Sequence, residues 1–335
     1  MKAVVVHAAG DVRVEEVPEP TYGPKDVVVK VGACGICGTD VHLIDGEFPP
    51  TIYPIIIGHE FGGTVTDVGT DVVGVTVGDR VGVDPTLNCG ECYFCQRGKG
   101  NLCERWNAIG VGSASGGFAE FMAAPEQCVY QIPESMSFAD AALIEPVSCV
   151  IHGFHLLQPK VGDTYLIYGA GPMGLQNAQI ARFNGAGVVA IIDTNPSRLE
   201  IARSFGFDVV GASLDEVRHV AKRGFDHVIE ATGRTIVAEL AIGAVIRGGK
   251  LLIFGVCPPG EKAGFDAFHI FNEELTIIGV KALQNSYGPA IDVIAAGGID
   301  TRKMVTHTFP IEQFDAAIAT VRAGIGLKVQ INPGA

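Results

Sequence analysis

The stretch of residues 165–193 constrains the fold more than any other part of the chain. It reads as a short apolar strand, the turn Gly-Ala-Gly-Pro-Met-Gly at 169–174, a helix-like run, and a second apolar strand that ends at Asp193. A lone G-x-G-x-x-G pattern is weak evidence, but strand, turn, helix, strand and acid in this order are typical of a dinucleotide site. A plain turn before a buried helix is the alternative, and it does not need the acid.

Each glycine of the turn has a physical role. Gly169 allows the tight turn, Gly171 lets the backbone approach a pyrophosphate, and Gly174 lets the helix lie close to the strand. The N-terminus of that helix offers free N–H groups and a positive dipole end to phosphates. The predicted cofactor-binding residues are Gly169, Gly171, Pro172, Met173, Gly174, Asp193 and Arg198.

Asp193 indicates which dinucleotide binds. Its carboxylate can accept hydrogen bonds from both ribose hydroxyls, and its charge repels a 2′-phosphate, so the sequence favours NAD over NADP. Arg198 is close enough in sequence to leave NADP open as the alternative.

Charge and composition exclude several classes of function. The chain has 335 residues and a net charge of −13 at pH 7, which argues against binding to nucleic acid or anionic membranes. No apolar run reaches transmembrane length, and the first residues lack a signal-peptide pattern. Nine cysteines, several closely spaced, then indicate metal binding rather than disulfides. We expect a cytoplasmic protein.

The pattern of apolar runs predicts an α/β protein of two domains. Residues 1–148 are rich in Val, Gly and Thr, which favours a compact, barrel-like β domain. Residues 149–283 alternate strand-like and helix-like runs, which predicts a doubly wound parallel sheet. Residues 284–335 are predicted to add one helix, Pro289–Ala296, and to return to the first domain. The six predicted strands of the sheet are Tyr165–Tyr168, Val188–Ile192, Asp208–Val210, His227–Glu230, Leu251–Phe254 and Thr276–Val280.

Four cysteines in a lobe at 88–104 have the spacing of a metal site. Cys89, Cys92, Cys95 and Cys103 form C-x2-C-x2-C-x7-C, which matches a closed tetrahedral zinc site. Because no ligand position stays open, this zinc would be structural. An iron–sulfur cluster uses similar spacing, but the Cys-Pro that often ends such runs is missing; four free cysteines are the other alternative. The basic residues expected to offset the site's charge are Arg97, Lys99 and Arg105.

A second, dispersed set could hold a catalytic metal. Cys37, His59 and Glu60 are possible zinc ligands, and three protein ligands leave a position for substrate. Read alone, His59 could equally be a core histidine and Glu60 a surface acid. Cys34 and Cys37 have the spacing of a redox pair, but no thioredoxin-like βαβ unit follows them.

Several motifs together resemble the zinc-dependent medium-chain dehydrogenases over nearly the whole chain. They are Gly35-Ile-Cys37-Gly-Thr39-Asp40-Val-His42, Gly58-His59-Glu60-Phe-Gly62, Val77-Gly-Asp79-Arg80-Val81, the four-cysteine lobe, Gly116-Gly-Phe118-Ala-Glu120-Phe121, Ala142-Leu-Ile-Glu145-Pro146 and the turn at 169–174. The Glu145-Pro146 pair is similar to the sorbitol (polyol) dehydrogenase branch. The resemblance implies a GroES-like β-barrel catalytic domain and a Rossmann domain.

The resemblance also implies roles for individual residues. Cys37, His59 and Glu60 would hold the catalytic zinc, and Glu145 would be a direct or water-separated fourth partner. Asp40 would orient a ligand imidazole. Thr39 would accept the proton of the substrate hydroxyl and pass it, through the cofactor ribose, toward His42. The alternative for Thr39 and His42 is a helix N-cap and a surface histidine.

The activity implied is oxidation of a secondary alcohol of a polyol to a ketone, with NAD and two zinc ions per chain. Sorbitol dehydrogenases carry an Arg-Tyr pair in the region that reads Lys281-Ala-Leu-Gln-Asn285-Ser-Tyr287 here, so sorbitol itself is in doubt. An L-threonine 3-dehydrogenase-like activity is the alternative enzyme. A non-enzymatic nucleotide-binding protein on the same fold is the alternative of another class. The resemblance suggests a homodimer or homotetramer.

Counting charges gives a hypothesis about Glu145. The Cys37 thiolate and the Glu60 carboxylate together neutralise Zn²⁺, and adding Glu145 makes the site net negative. A negative site stabilises an incoming alkoxide less well. We therefore expect Glu145 to be displaced, or to stay behind a water, when substrate binds.

Overall fold

The computed structural model describes residues 1–47, 51–112 and 114–334. The chain forms two compact units: the first comprises residues 1–148, 283–296 and 301–335, and the second comprises residues 149–282 and 297–300. Most of the C-terminal segment therefore belongs to the first unit. None of the helices in these described ranges combines the length and the apolar character that crossing a bilayer requires.

The strands in chain order are β1 Lys2–Ala8, β2 Asp11–Glu16, β3 Asp26–Gly35, β4 Ile55–Ile56, β5 Glu60–Val68, β6 Arg80–Val83, β7 Thr86–Leu87, β8 Asn107–Ala108, β9 Phe121–Pro125, β10 Val129–Gln131, β11 Thr164–Tyr168, β12 Val188–Ile192, β13 Val209–Gly211, β14 Phe225–Glu230, β15 Val245–Ile253, β16 Thr276–Gly279, β17 Val305–Pro310 and β18 Lys328–Asn332. The helices are α1 Gly38–Asp45, α2 Phe138–Ala141, α3 Ile144–Leu157, α4 Pro172–Phe183, α5 Pro196–Ser204, α6 Leu214–Val217, α7 Thr235–Ala241, α8 Ala267–Asn272, α9 Tyr287–Ala295, α10 Thr301–Met304 and α11 Phe314–Arg322.

The first unit is built on a mostly antiparallel sheet. Its strand order is β10-β6-β5-β3-β18-β17, and β9 also pairs with β3. The long strands β3 and β5 pair in a register that places Gly35 opposite Glu60. Apolar side chains from early and late parts of the chain share one core, which includes Val29, Phe61, Val81, Phe314 and Ile331.

The second unit is the predicted doubly wound sheet. Its six strands are all parallel, in the order β13-β12-β11-β14-β15-β16. The order reverses between β11 and β14, and such a reversal opens a crevice at the carboxyl ends of the strands. Buried residues of successive strands form the core, among them Leu166, Ala190, Val228 and Leu251. Asn195 begins α5 by accepting a hydrogen bond from Ser197 N, with Pro196 at the first helical position.

Some predicted boundaries and elements were wrong. β15 begins at Val245, six residues before the predicted start at Leu251. Its first half contains a register shift and Gly248 at φ +73°, so the sequence there is typical of a glycine-rich turn rather than of a strand. The C-terminal segment has two helices that the prediction missed, α10 and α11. In α11 the buried residues Phe314, Ala317 and Ile318 have the spacing of an amphipathic helix.

Candidate metal and cofactor sites

The fold brings together the three residues of the dispersed set. Cys37 precedes α1 as its N-cap, His59 directly precedes β5, and Glu60 is the first residue of β5. One ligand atom from each of Cys37, His59 and Glu60 lies within 4.8 Å of the others. Gly35 has no side chain opposite Glu60, where a Cβ would collide with the Glu60 carboxylate. The register of β3 and β5 therefore creates the cluster.

A buried acid lies beside the histidine of this cluster. His59 Nδ1 lies 3.4 Å from Asp40 Oδ1, and both atoms are buried without a formal hydrogen bond to any described residue. Burial lowers the pKa of His59, but Asp40 and Cys37 raise it by more. The pKa of His59 is therefore well above its ordinary value. A position that favours positive charge suits a metal cation, and a carboxylate beside the second ring nitrogen is typical of zinc-binding histidines.

A buried lysine, which the sequence analysis missed, contacts the same cluster. Lys328 Nζ donates to Glu60 Oε2, and the two residues are only 3% and 1% exposed. Burial lowers the pKa of Lys328, but the negative groups of Glu60, Cys37 and Glu145 raise it by more, so the ammonium form is favoured. Lys328 therefore changes the charge count made from sequence, because its positive charge offsets the third acid.

The other predicted catalytic residues lie around the cluster. Glu145 is buried near the start of α3, but it is outside the group of three whose ligand atoms converge. Thr39 Oγ1 lies 3.8 Å from Cys37 Sγ. Because Cys37 occupies the N-cap, Thr39 is not the residue that caps α1. The His42 side chain is 55% exposed, and its Nδ1 lies 2.8 Å from Glu47 Oε2.

The four-cysteine lobe has the geometry of a tetrahedral thiolate site. Neighbouring sulfur atoms are 3.5 Å apart for Cys89 and Cys103 and 3.9 Å apart for both Cys89–Cys95 and Cys92–Cys103. A tetrahedron with Zn–S bonds of about 2.3 Å places sulfurs about 3.8 Å apart. These separations are far too long for disulfides. The donor set therefore fits zinc.

Local interactions shift the pKa values of the thiols in this lobe in opposite directions. The backbone N–H of Glu91 is the main cause that lowers the pKa of Cys89 to about 6, whereas burial raises the pKa of Cys95 to about 12. Arg105 pairs with Glu91 and also lies near Cys89, as the charge argument expected. Arg97 instead stacks over the Tyr93 ring, with its guanidinium carbon 3.7 Å from the ring centroid.

The glycine-rich turn of the second unit has the conformation that the motif predicts. Gly169 has φ +104°, and a Cβ on Gly174 would collide with the carbonyl oxygen of Gly169. A Cβ on Gly171 would meet nothing within 4 Å, which leaves space for a ligand at the N-terminus of α4, where Pro172 and Met173 begin the helix. These features fit a pyrophosphate group.

Asp193 is fixed at the carboxyl end of β12. Its two oxygens accept hydrogen bonds from Ala170 N and Asn195 N, each at 2.8 Å. Arg198 Nη1 lies 3.8 Å from Asp193 Oδ2. The carboxylate is therefore held rigidly beside the glycine-rich turn, with one cation close to it.

Two family models match the chain: an alcohol dehydrogenase GroES-like domain at residues 23–134, and a zinc-binding dehydrogenase domain at residues 172–296. The protein belongs to the zinc-dependent medium-chain dehydrogenases. It is 34% identical to D-arabinitol dehydrogenase 1 of Uromyces fabae, over 99% of this chain and 97% of that protein. It is 35% identical to an L-threonine 3-dehydrogenase of Rhizobium etli, over 98% and 97%.

A solved structure shows the same fold over the whole length. A zinc-binding dehydrogenase of Sinorhizobium meliloti, solved with NADP bound, superposes with a TM-score of 0.95 at 34% identity, covering 99% of both chains. The predicted combination of a GroES-like domain and a Rossmann domain is confirmed, as is the polyol dehydrogenase-like family. The protein is thus a zinc-dependent dehydrogenase.

Proposed function

We propose that this enzyme oxidises a secondary alcohol of a polyol to a ketone, with transfer of hydride to NAD. The observation that carries the proposal is the convergence of Cys37, His59 and Glu60 within one group of ligand atoms. The relation to a D-arabinitol dehydrogenase supports a polyol substrate.

Cys37, His59 and Glu60 would hold the catalytic zinc, and the buried Glu145 would stand behind a water as a fourth partner. Zinc at this position would supply a Lewis acid that lowers the pKa of an alcohol hydroxyl. Asp40 would keep the imidazole of His59 in one orientation. Lys328 would hold the carboxylate of Glu60 and offset the negative charge of Glu145.

Thr39 would take the proton of the substrate hydroxyl. Its hydroxyl group lies beside Cys37, and His42 follows three residues later on the same helix, so the two side chains lie on one face of α1. The exposed imidazole of His42, which is paired with Glu47, can release the proton to solvent. NAD would accept the hydride, and the ribose of its adenosine would be bound by Asp193.

Four thiolates would hold the second, structural zinc: Cys89, Cys92, Cys95 and Cys103. The choice of NAD over NADP depends on the fixed carboxylate of Asp193, which repels a 2′-phosphate. The related Sinorhizobium meliloti structure holds NADP. Arg198, close to Asp193, is the residue here that could attract such a phosphate.

The substrate panel that tests the proposal contains pentitols, hexitols, inositols, simple alcohols and L-threonine, each with NAD and with NADP. We expect the highest kcat/KM with a polyol and NAD. The relation to an L-threonine 3-dehydrogenase favours threonine as the second candidate substrate. Fast turnover of threonine with none of any polyol would overturn the first choice.

A homodimer is also part of the proposal. β16 is an edge strand of the parallel sheet with exposed residues, and Val256, Phe268 and Phe271 are exposed in the same unit. An exposed edge strand can pair with the same strand of a second copy. The substitution Ile277→Lys should shift the mass measured by light scattering toward the monomer, and Phe183→Lys should not. A wild-type monomer at all concentrations would contradict the dimer. None of the nine cysteines, all of which lie among the described residues, forms a disulfide, which supports a cytoplasmic location.

A further inference from the structure

Glu230 is a fully buried acid that the proposed reaction does not use. It lies at the carboxyl end of β14, with 0% of its surface exposed. Its carboxylate accepts hydrogen bonds from Thr232 N at 2.7 Å, from Gly233 N at 3.0 Å and from the hydroxyl of Thr232. Among the salt bridges of the described residues, none includes Glu230.

The charge of this carboxylate is stabilised without being neutralised. Burying an anion is costly unless hydrogen bonds or an opposite charge compensate it. The three donors around Glu230 are neutral, so they stabilise the anion but leave its net charge in place. A charge in a buried position is screened less by solvent and salt than one on the surface.

Glu230 lies at the edge of the sheet where the dinucleotide crevice is expected. β14 lies beside β11, at the point where the strand order reverses and a dinucleotide crosses the sheet. Asp193, at the end of β12, would bind the adenosine ribose, so the nicotinamide half would extend toward β14. A Cβ on Gly169 would lie 3.1 Å from Thr232 Cγ2 and 3.2 Å from the carbonyl oxygen of Ala231. The turn held by Glu230 therefore contacts the glycine-rich turn directly.

We propose that Glu230 determines how strongly the enzyme prefers the oxidised cofactor over the reduced one. The nicotinamide ring carries a positive charge in NAD⁺ and none in NADH. A fixed negative charge on this side of the crevice therefore stabilises the bound oxidised form selectively. This inference rests on the proposed binding of NAD, and it adds a residue that selects the redox state.

The neighbouring thiol of Cys257 offers a second position at which a substitution can offset the charge of Glu230. Cys257 lies two residues after Gly255, where a Cβ would lie 2.7 Å from Glu230 Oε2. Burial raises the pKa of Cys257, and the charge of Glu230 raises it further. A lysine at this partly exposed position would offset the charge of Glu230 while leaving its three hydrogen bonds intact.

The test compares dissociation constants for NAD⁺, by calorimetry, and for NADH, by fluorescence, in purified protein. Glu230→Gln should weaken binding of NAD⁺ by about tenfold more than binding of NADH. Glu230→Asp keeps the charge, and Thr232→Val removes one hydrogen bond but keeps the charge. Both variants should therefore retain the wild-type ratio of the dissociation constants for NAD⁺ and NADH. If Glu230→Gln weakens both cofactors equally, or leaves the ratio unchanged, the inference is overturned.

Cys257→Lys keeps the inference testable if Glu230→Gln does not fold. It should change the ratio in the same direction as Glu230→Gln, whereas the matched Cys257→Ser should not. An unchanged ratio in Cys257→Lys would overturn the inference. Failure of the wild-type protein to bind either form of the cofactor would overturn the proposed function itself, which is a distinct result.

Discussion

Lys328 donates a hydrogen bond to Glu60, and both side chains are almost completely enclosed by protein. The pair joins the last strand of the chain to the start of β5, 268 residues apart in sequence. It places a positive charge beside the proposed ligands of the catalytic zinc.

Replacing Lys328 with Met should therefore destabilise the metal-free protein more than the zinc-bound protein. Removing one partner of a buried ion pair typically costs about 3–5 kcal/mol, because the other charge is left uncompensated. A bound zinc ion would partly compensate Glu60, so the loss of Tm should be larger after chelation than before it. Thermal unfolding with and without chelator measures the difference, and Lys328→Arg is the control that keeps the charge. Equal losses in both states would contradict this account.

Replacing Cys103 with Ser should remove about one zinc ion per chain, because a closed tetrahedral site needs all four thiolates. The second unit does not contain this lobe, so NADH should still bind with nearly unchanged affinity. Metal analysis and a fluorescence titration check the two outcomes, and Cys128→Ser is the matched control at a buried cysteine outside both clusters. Retention of the full zinc content by Cys103→Ser would show that the lobe is not a metal site.

The substitution Asp193→Ala should raise the dissociation constant for NAD by about tenfold and improve the relative affinity for NADP. The loss has two causes, since the carboxylate would no longer bind the ribose hydroxyls or repel a 2′-phosphate. Asn195→Ala disturbs the same loop but keeps the charge, so it should leave the ratio of the two affinities unchanged. If the ratio of the affinities for NAD and NADP stays the same in Asp193→Ala, this residue does not select between the two cofactors.

Stability in acid should depend on Asp163. Its carboxylate lies 2.8 Å from His227 Nε2. Burial raises the pKa of Asp163, but hydrogen bonds from Lys160 N and His227 lower it by more, so the net value is below 3.8. The stabilisation is therefore present above the pKa of the unfolded chain and is lost as the pH falls through the lower folded value. Asp163→Asn should lower Tm by about 2 °C at pH 6, and the difference should shrink below about pH 4. A constant difference across this range would contradict the assignment.

Most residues of the candidate site could be predicted from the sequence because they lie in short, local motifs. Cys37 lies two residues before Thr39, and His59 adjoins Glu60, so each motif carries its own signal. The turn at 169–174 and the acid after the next strand are likewise fixed by one βαβ unit.

Lys328 could not be found in this way. It lies in a strand-like run far from both motifs, where a lysine usually faces solvent. Only the pairing of β18 with β3 brings it to Glu60. Glu230 was included in a predicted strand, but its complete burial depends on packing that the local sequence does not report. By contrast, the spacing of apolar residues in α11 was a usable signal for a helix, and the prediction did not use it.

The most direct test of the account is the initial rate of NADH formation with the best polyol, before chelation, after chelation and after zinc is added back. The same series is measured for His59→Gln. The account predicts that chelation abolishes the wild-type rate, that zinc restores it, and that His59→Gln remains below about one hundredth of that rate in every state. A chelated enzyme that has lost its zinc but keeps the full rate, or a fully active His59→Gln, would contradict the central claim.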